Sequence, residues 1–334
     1  TNYVFQTNLP LVLKAIEEGA VENALGIDFP ETWNPLMYAR QAITSSFLKE
    51  KHQQTDTAFL MDKIIKEIED MSLNAWPSHK MELYDGWLIR FSHNYTYRTN
   101  SVEQVGLSTI PVEEKIAYCE EIYRTLGTPA HFKINPLLDP AFEELLAEKG
   151  YEVRHVTEVM TAQAENFHLY PELSRNFEFD NRSGLPSVVR YPQDVTVLLS
   201  PVITDEWIQG VFHLNGTCDP TLRRIVPSMF KAIPKKTIAA SVEVDGRMVA
   251  SGLGIRDRDY IGLYAIYVSP SCRRRHYARA VCSSILREAR LQGATKAYLQ
   301  VVQGNQNAKA LYTSLGFEDF YTYWFRSKEV WEGI

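Results

Sequence analysis

The sequence has few cysteines, and they are far apart. Its 334 residues contain four, Cys119, Cys218, Cys272 and Cys282. Their spacing matches neither a metal-binding motif nor the dense framework of a small disulfide-rich protein, so we expect no metal site. Scattered free thiols are typical of proteins in a reducing compartment, and we therefore expect a cytoplasmic location.

Long apolar runs and an excess of positive charge are also missing. No run approaches the roughly 20 apolar residues that a membrane-spanning helix needs, and no signal-peptide pattern opens the chain. The 35 lysines and arginines are outnumbered by 41 aspartates and glutamates, which gives a formal net charge of −6. This balance argues against nucleic acid or an anionic membrane as a partner, so a basic patch must be local and directed at a small ligand.

The chain does contain enough apolar sequence for large cores. Hydrophobic residues make up 45% and charged residues 23% of the composition, as is ordinary for globular proteins. Because 334 residues exceed one typical domain, we expect two domains and an extension.

Helical and strand periodicity alternate along both halves. In the first half we predict a helix over AFLMDKIIKEIEDMSLNAW, strands over GWLIRFS and YTYRTNSV, a helix over PVEEKIAYCEEIYRTLG, a strand over HFKIN, a helix over AFEELLAEKG and a strand over YEVRHVTEVM. Arg90, Tyr95, Tyr97 and Arg98 alternate along the first two strand predictions, where they form either a groove wall or an ordinary mixed sheet face. In the second half we predict strands over VTVLLS, KTIAASVEVDG, RMVASGLGIRD, DYIGLYAIYVS, KAYLQVV and DFYTYWFR, with helices over TDEWIQGVFHLNG, near PSMFKAI, after the arginines at 273–275 and over NQNAKALYTSLG.

An internal repeat sets the domain count. Gly127 and Gly150 enclose a strand and a helix, and Gly293 and Gly316 enclose the same pair at an offset of 166 residues. Repeats of this length usually mean duplicated units. We therefore expect a helical extension over 1–55, a first domain over 56–165, a linker over 166–186 and a second domain over 187–334.

The stretch VSPSCRRRHYARAV, residues 268–281, places three arginines ahead of a predicted helix. A helix N-terminus offers unpaired amides and a partial positive charge, and arginine side chains add donors that match phosphate oxygens. A strand, a turn and a helix in this order suit a diphosphate group. The alternative is a solvated, charged helix end.

The surrounding residues favour the phosphate interpretation. Val268, Pro270, Arg273, Ala278, Arg279 and Ala280 precede a strand and then Asn305, Ala308, Leu311, Tyr312, Gly316 and Phe317. Both half-motifs, in register over about 187–334, resemble the GNAT superfamily of acyl-CoA-dependent N-acetyltransferases. The duplicated layout resembles its tandem type, over about 56–334. The resemblance implies an α+β fold of two GNAT-like domains, each a mixed, mostly antiparallel sheet flanked by helices.

The resemblance also implies roles. The strand at Ile266, Tyr267 and Val268 would pair with the pantetheine arm of acetyl-CoA and polarise its thioester carbonyl. Tyr312 would protonate the departing thiolate, since a phenol of pKa near 10 can do so. The remaining cofactor-binding candidates lie in the loop and helix start that would surround the diphosphate, and the last of them would hydrogen-bond to the cofactor arm. They are Arg273, Arg274, Arg275, His276, Tyr277, Ala278, Arg279 and Asn305.

Two departures from the family pattern affect these roles. Members of the family commonly carry glycine at the positions of Arg274 and His276. If the loop turns through positive φ there, these residues strain the backbone, whereas a negative φ would cost little. Gln300 stands where many relatives carry a glutamate base, and an amide cannot take a proton. The base is then a water chain or another side chain, or the amine arrives neutral. The candidate side chains are Asp205, Glu206, His213, Glu243, Tyr264 and Tyr267.

The first copy lacks the cofactor residues. At the offset of 166, Asn305 falls on Asp139 and Tyr312 on Leu146, and the loop has no arginine and loses an amide at Pro111. We expect a degenerate first copy and one active site per chain.

The functional hypothesis is transfer of acetyl from acetyl-CoA to a primary amine, small molecule or peptide, by a monomer or homodimer. The alternative is a non-catalytic acyl-CoA sensor or interaction protein, favoured by Gln300 and His276. A nucleic-acid binder ranks well behind both, because the basic cluster is one short stretch on an acidic chain.

Overall fold

The computed structural model describes residues 58–176 and 186–328. The chain divides into two units, residues 1–64 and 65–334. In the first, the described residues 58–64 are helical, and the predicted extension over 1–55 lies outside the described residues. Within the described ranges, no helix is both long and apolar enough to cross a bilayer.

The larger unit is built from helices and one sheet. Its helices are α1 (residues 65–75), α2 (Val112–Thr125), α3 (Pro140–Glu148), α4 (Asp205–Asn215), α5 (Pro220–Lys231), α6 (Tyr277–Leu291) and α7 (Gln306–Ser314). Its strands in the first half are β1 (Lys80–Tyr84), β2 (Trp87–Phe91), β3 (Val102–Gln104), β4 (His131–Ile134), β5 (Glu152–Gln163) and β6 (Ser174–Asn176). Those in the second half are β7 (Ser187–Tyr191), β8 (Val195–Ser200), β9 (Lys236–Val244), β10 (Arg247–Asp257), β11 (Tyr260–Val268), β12 (Lys296–Val302) and β13 (Glu318–Ser327).

The internal repeat is visible in the element bounds. Helices α3 and α7 begin at residues 140 and 306, and strands β5 and β13 begin at 152 and 318, an offset of 166 in both cases. The caps repeat as well, since the Asp139 carboxylate accepts from the Ala141 amide and the Asn305 amide oxygen accepts from the Ala308 amide. The fold is the expected α+β arrangement of two GNAT-like copies.

The two copies exchange their last strands within one sheet, which has thirteen strands in the described ranges. Its order is β1-β2-β3-β4-β13-β5-β12-β11-β10-β9-β8-β7-β6. Strand β13 of the second copy therefore lies between β4 and β5 of the first, and β5 lies between β13 and β12. Each copy completes its sheet with a strand of the other.

One strand prediction was wrong, and three strands were not predicted. The segment YTYRTNSV is not a strand, because Tyr97–Thr99 forms a 3₁₀ turn and extended pairing begins only at Val102. Strands β1 and β7 were not predicted, and β6 lies inside the segment predicted to be a linker. Strands β1 and β6 are held by pairing with β2 and β7, which local periodicity does not reveal.

Helix α6 lies close against the sheet of the second copy. A Cβ atom at Gly252 of β10 would approach Cγ1 of Val281 to 2.4 Å, so the absence of a side chain there permits the contact. Ile285 and Leu286 of α6 are fully buried in the same core. This packing fixes the start of α6 beside the end of β11.

Candidate functional site

Strands β11 and β12 separate at the centre of the sheet. Their parallel pairing runs from Tyr260 with Lys296 to Leu263 with Leu299, and then stops. A bulge follows at Ala265, whose φ is 49°, and the Ser251 hydroxyl donates to its carbonyl at 2.9 Å. Beyond the bulge β11 pairs only with β10, so the backbone of 266–268 is open on the β12 side. The cleft could accept another extended chain by backbone hydrogen bonding.

The loop after β11 leads into α6 with its amides unpaired. Within the described ranges, no amide from Arg274 to Arg279 donates to a protein acceptor, and the first helical bond is from Ala280 to the His276 carbonyl at 2.9 Å. The backbone turns through positive φ at Arg274 (64°) and His276 (61°). Of the two alternatives for these positions, the structure adopts the strained one. A loop of free amides at a helix start is suited to an anion.

The side chains of the loop leave it open. Arg273, Arg274, Arg275 and His276 are all exposed. The imidazole of His276 stacks on the ring of Tyr170, with centroids 5.7 Å apart, and therefore does not fill the turn. Tyr277, Ala278 and Arg279 are half-buried, and the Arg279 guanidinium lies 5.8 Å from the centre of the Tyr170 ring.

Tyr312 lies on α7 with only 8% of its surface exposed. Its hydroxyl makes no hydrogen bond within the described part of the chain and is not completely enclosed by protein atoms. Burial raises its pKa well above the usual value, the Cys282 thiol and Tyr267 phenol act in the same direction, and Arg98 opposes them. The hydroxyl is therefore protonated at neutral pH and lies near Tyr267 and Arg98.

Gln300 joins the two copies where β11 and β12 separate. It directly follows Leu299, the last paired residue of β12. Its amide nitrogen donates to the Ser72 hydroxyl at 2.9 Å, and its amide oxygen accepts from the Tyr323 hydroxyl at 3.2 Å. The same phenol oxygen accepts from Nε of Arg98 at 2.9 Å. Ser72 and Tyr323 were missed by sequence reasoning, because nothing local to α1 or β13 indicates these contacts.

The six candidate bases differ in their surroundings. Asp205, Glu206, His213 and Glu243 are exposed, and Asp205 pairs with Lys231 at 2.8 Å. Tyr264 is buried and shares a hydrogen bond of 2.7 Å with Tyr298, and burial raises its pKa to about 12. Tyr267 is 37% exposed. The contacts of the described residues single out none of the six as a proton acceptor.

The corresponding loop of the first copy is already occupied by a carboxylate. Asp85 accepts from the amides of Thr109 and Ile110, both at 2.8 Å, and from the Thr109 hydroxyl at 3.0 Å. Hydrogen bonding, foremost from the Ile110 amide, lowers the pKa of Asp85 to about 2. The ammonium of Lys115 lies 3.4 Å from the carboxylate. An internal anion thus takes the place that an external anion would occupy ahead of α2.

Two family models match successive parts of the chain. Residues 207–317 match the "Acetyltransferase (GNAT) family", and residues 63–184 match "Probable histone acetyltransferase Rv0428c C-terminal". The chain belongs to the GNAT superfamily. Membership in this family of GNAT acetyltransferases supports acyl transfer as the general activity.

Individual GNAT proteins resemble the chain over most of its length. The "Uncharacterized N-acetyltransferase YobR" of Bacillus subtilis is 24% identical over 265 residues, which cover 79% of this chain and 98% of that protein. A "GCN5-related N-acetyltransferase from Kribbella flavida" superposes with a TM-score of 0.55 at 16% identity, covering 79% of this chain and 95% of that one. A "Tandem GNAT protein from the clavulanic acid biosynthesis pathway" superposes with a TM-score of 0.50 at 12% identity, covering 70% and 76%. The likeness to the solved structures establishes the tandem GNAT fold.

Proposed function

We propose that the protein transfers an acetyl group from acetyl-CoA to the primary amine of a small molecule or peptide, in the cytoplasm. Three features of the second copy support the proposal, and the phenol among them is near Tyr267 of β11. These are the separated strands β11 and β12, the unpaired amides at the start of α6 and the buried phenol of Tyr312.

The chain offers donors for each part of the cofactor. The open backbone of 266–268 pairs with the pantetheine arm, and an amide there polarises the thioester carbonyl. The amides of 274–279 hold the diphosphate, and Arg273, Arg274 and Arg275 add charge around it. Asn305 uses its amide oxygen to cap α7, which leaves its amide nitrogen for the cofactor arm.

The reaction proceeds by direct attack in a ternary complex. The amine nitrogen bonds to the acetyl carbon, the carbon–sulfur bond breaks, and the thiolate takes the proton of Tyr312. The proton that the amine loses returns the phenol to its neutral form through solvent. Because Gln300 is an amide held by Ser72 and Tyr323, the amine enters uncharged.

Replacing Tyr312 by Phe tests this proposal. The variant should bind acetyl-CoA as the wild type does and lose at least about 100-fold in kcat, because general acid catalysis typically contributes this much. Thiol release measured against a panel of amines, together with calorimetric binding of acetyl-CoA, gives both quantities. Tyr191→Phe is the matched control, since Tyr191 is also buried but bonds to Ser284 in the core. Full activity in the Tyr312 variant would exclude the phenol as the acid.

A non-catalytic acyl-CoA sensor is the second candidate. It is favoured by the engaged amide of Gln300 and by positive φ at two non-glycine positions of the loop. A sensor has no need of a proton donor at Tyr312. Tight binding of acetyl-CoA by the wild type, without thiol release across the amine panel, would favour the sensor.

A further inference from the structure

Arg98 carries a positive charge that no carboxylate of the described residues balances. It lies in the 3₁₀ turn Tyr97–Thr99 of the first copy and is partly exposed. Its Nε donates to the Tyr323 hydroxyl at 2.9 Å. Its terminal nitrogens have no hydrogen-bond acceptor in the described ranges, and the side chain joins no ion pair there. Withdrawing a guanidinium even partly from water without a counter-ion costs free energy.

The neighbouring ion network does not supply the missing anion. Arg90 pairs with Glu103 at 3.1 Å, and Lys133 pairs with Glu69 at 2.6 Å and with Glu103 at 3.5 Å. Two cations and two carboxylates balance one another in this group. Arg98 is thus an additional cation, and its nearest polar partners, Tyr323 and then Gln300, are neutral.

The position of Arg98 relates it to the acyl-transfer cleft. Tyr323 connects its guanidinium to Gln300, the first residue after the last β11–β12 pair. Arg98 is also near enough to Tyr312 to lower the pKa of that phenol. The charge therefore lies at the reacting end of the cleft, away from the diphosphate loop at the start of α6.

An aromatic cluster with members from both copies includes Tyr264, whose phenol is near Arg98. The indole of Trp76 packs against Phe230 of α5, Tyr264 of β11 and Tyr95, with ring centroids 5.1, 6.3 and 6.2 Å apart. Such walls exclude water and strengthen an ion pair formed beside them. A ligand bound here would meet apolar surface and one unpaired guanidinium.

We propose that Arg98 binds a carboxylate of the acceptor, so that the substrate is an amine that also carries a carboxylate group. The terminal nitrogens of a guanidinium match two carboxylate oxygens, and this contact would fix the amine relative to the thioester. The inference rests on the proposed acetyltransferase function, whose acceptor it narrows to amino carboxylates.

Matched acceptors test the assignment. Phenylalanine and phenethylamine differ by one carboxylate, as do leucine and 3-methylbutylamine, and kcat/KM is measured for each with acetyl-CoA. The wild type should prefer the carboxylate member of each pair. Arg98→Met should lower kcat/KM by about 50-fold for the carboxylates and less than about threefold for the decarboxylated amines, because a charged hydrogen-bonded pair is lost only with the former. Arg290→Met, an exposed site at the end of α6, is the charge control.

Other results would overturn the inference. The inference fails if the wild type prefers the decarboxylated amines. It also fails if Arg98→Met lowers kcat/KM equally for both members of a pair, because Arg98 would then act on the structure or on Tyr312. If Arg98→Met does not fold, Arg98→Lys is the second variant, since it keeps the charge without the paired donors. Its kcat/KM should fall by about tenfold for the carboxylates alone. If no amine is acetylated, the acetyltransferase proposal fails separately. Calorimetric binding of phenylalanine against phenethylamine to the CoA-loaded protein then decides the role of Arg98.

Discussion

At the scale of single residues, the start of α6 has two sources of anion affinity, which are backbone amides and arginine side chains. The amides of 274–279 belong to the backbone, whereas Arg273, Arg274 and Arg275 contribute exposed side chains with no ion pair in the described ranges. Exposed charges of this kind add about 0.5 kcal/mol or less each to stability. We therefore expect these side chains to affect anion binding and not stability.

Changing Arg273, Arg274 and Arg275 together to Gln should weaken CoA binding by about tenfold or more, because three phosphate-matching donors are lost. The thermal midpoint of the cofactor-free protein should stay nearly unchanged. Titration calorimetry at two salt concentrations measures the affinity, and the salt dependence should decrease with the lost charge. The control is the matched triple change of Arg190, Arg258 and Arg290 to Gln, which removes the same charge elsewhere. Equal affinity in both triple variants would contradict the phosphate role.

At the scale of elements, the loop between β11 and α6 takes a strained backbone path. Arg274 and His276 have φ values of 64° and 61°, in a region that costs non-glycine residues about 1–2 kcal/mol. The His276 ring gains contact with Tyr170 but makes no capping hydrogen bond to α6. The loop retains the shape that glycine would adopt without this cost.

Comparing His276→Gly with His276→Ala isolates this backbone cost. Both changes remove the ring, and only glycine relieves the positive φ, although it also loosens the unfolded chain. The glycine variant should exceed the alanine variant by about 0.5–1 kcal/mol in the free energy of unfolding, measured by urea denaturation of the cofactor-free protein. The reverse order would indicate that the loop turns through negative φ in solution.

Local features of the second copy were predictable from sequence, and long-range ones were not. The helix start after Arg275, the succession of strands along the chain from β8 onward and the spacing of Asn305 and Tyr312 follow from periodicity and capping along neighbouring residues. The place of Arg98 depends on a 3₁₀ turn where alternation predicted a strand, and on Tyr323, 225 residues away. Asp85 likewise reaches Thr109 across 24 residues, and its role appears only once β1 and β2 are paired.

At the scale of the whole molecule, the exchange of β5 and β13 makes the two copies interdependent. Without the first copy, β12 would lose its pairing with β5 along its whole length and expose a sheet edge. Without the second, β4 would lose β13. The cleft also loses Ser72 and Arg98 when the halves are separated.

Residues 58–176 and 186–328, produced separately, should each fail to give a cooperative unfolding transition, and should recover one when they are produced together. The lost strand pairing accounts for both outcomes. Circular dichroism melts and size-exclusion chromatography of the single and mixed halves measure the effect. Residues 186–328 alone binding acetyl-CoA with the affinity of the whole chain would contradict this interdependence.

The carboxylate of Asp85 gives the loop ahead of α2 a negative charge of its own. It stays ionised throughout the physiological pH range, so the start of α2 keeps a permanent counter-ion. At the start of α6 no carboxylate of the described residues accepts from the amides, so this helix start can take an external anion. We therefore expect added anions to bind the second copy and to leave the first unchanged.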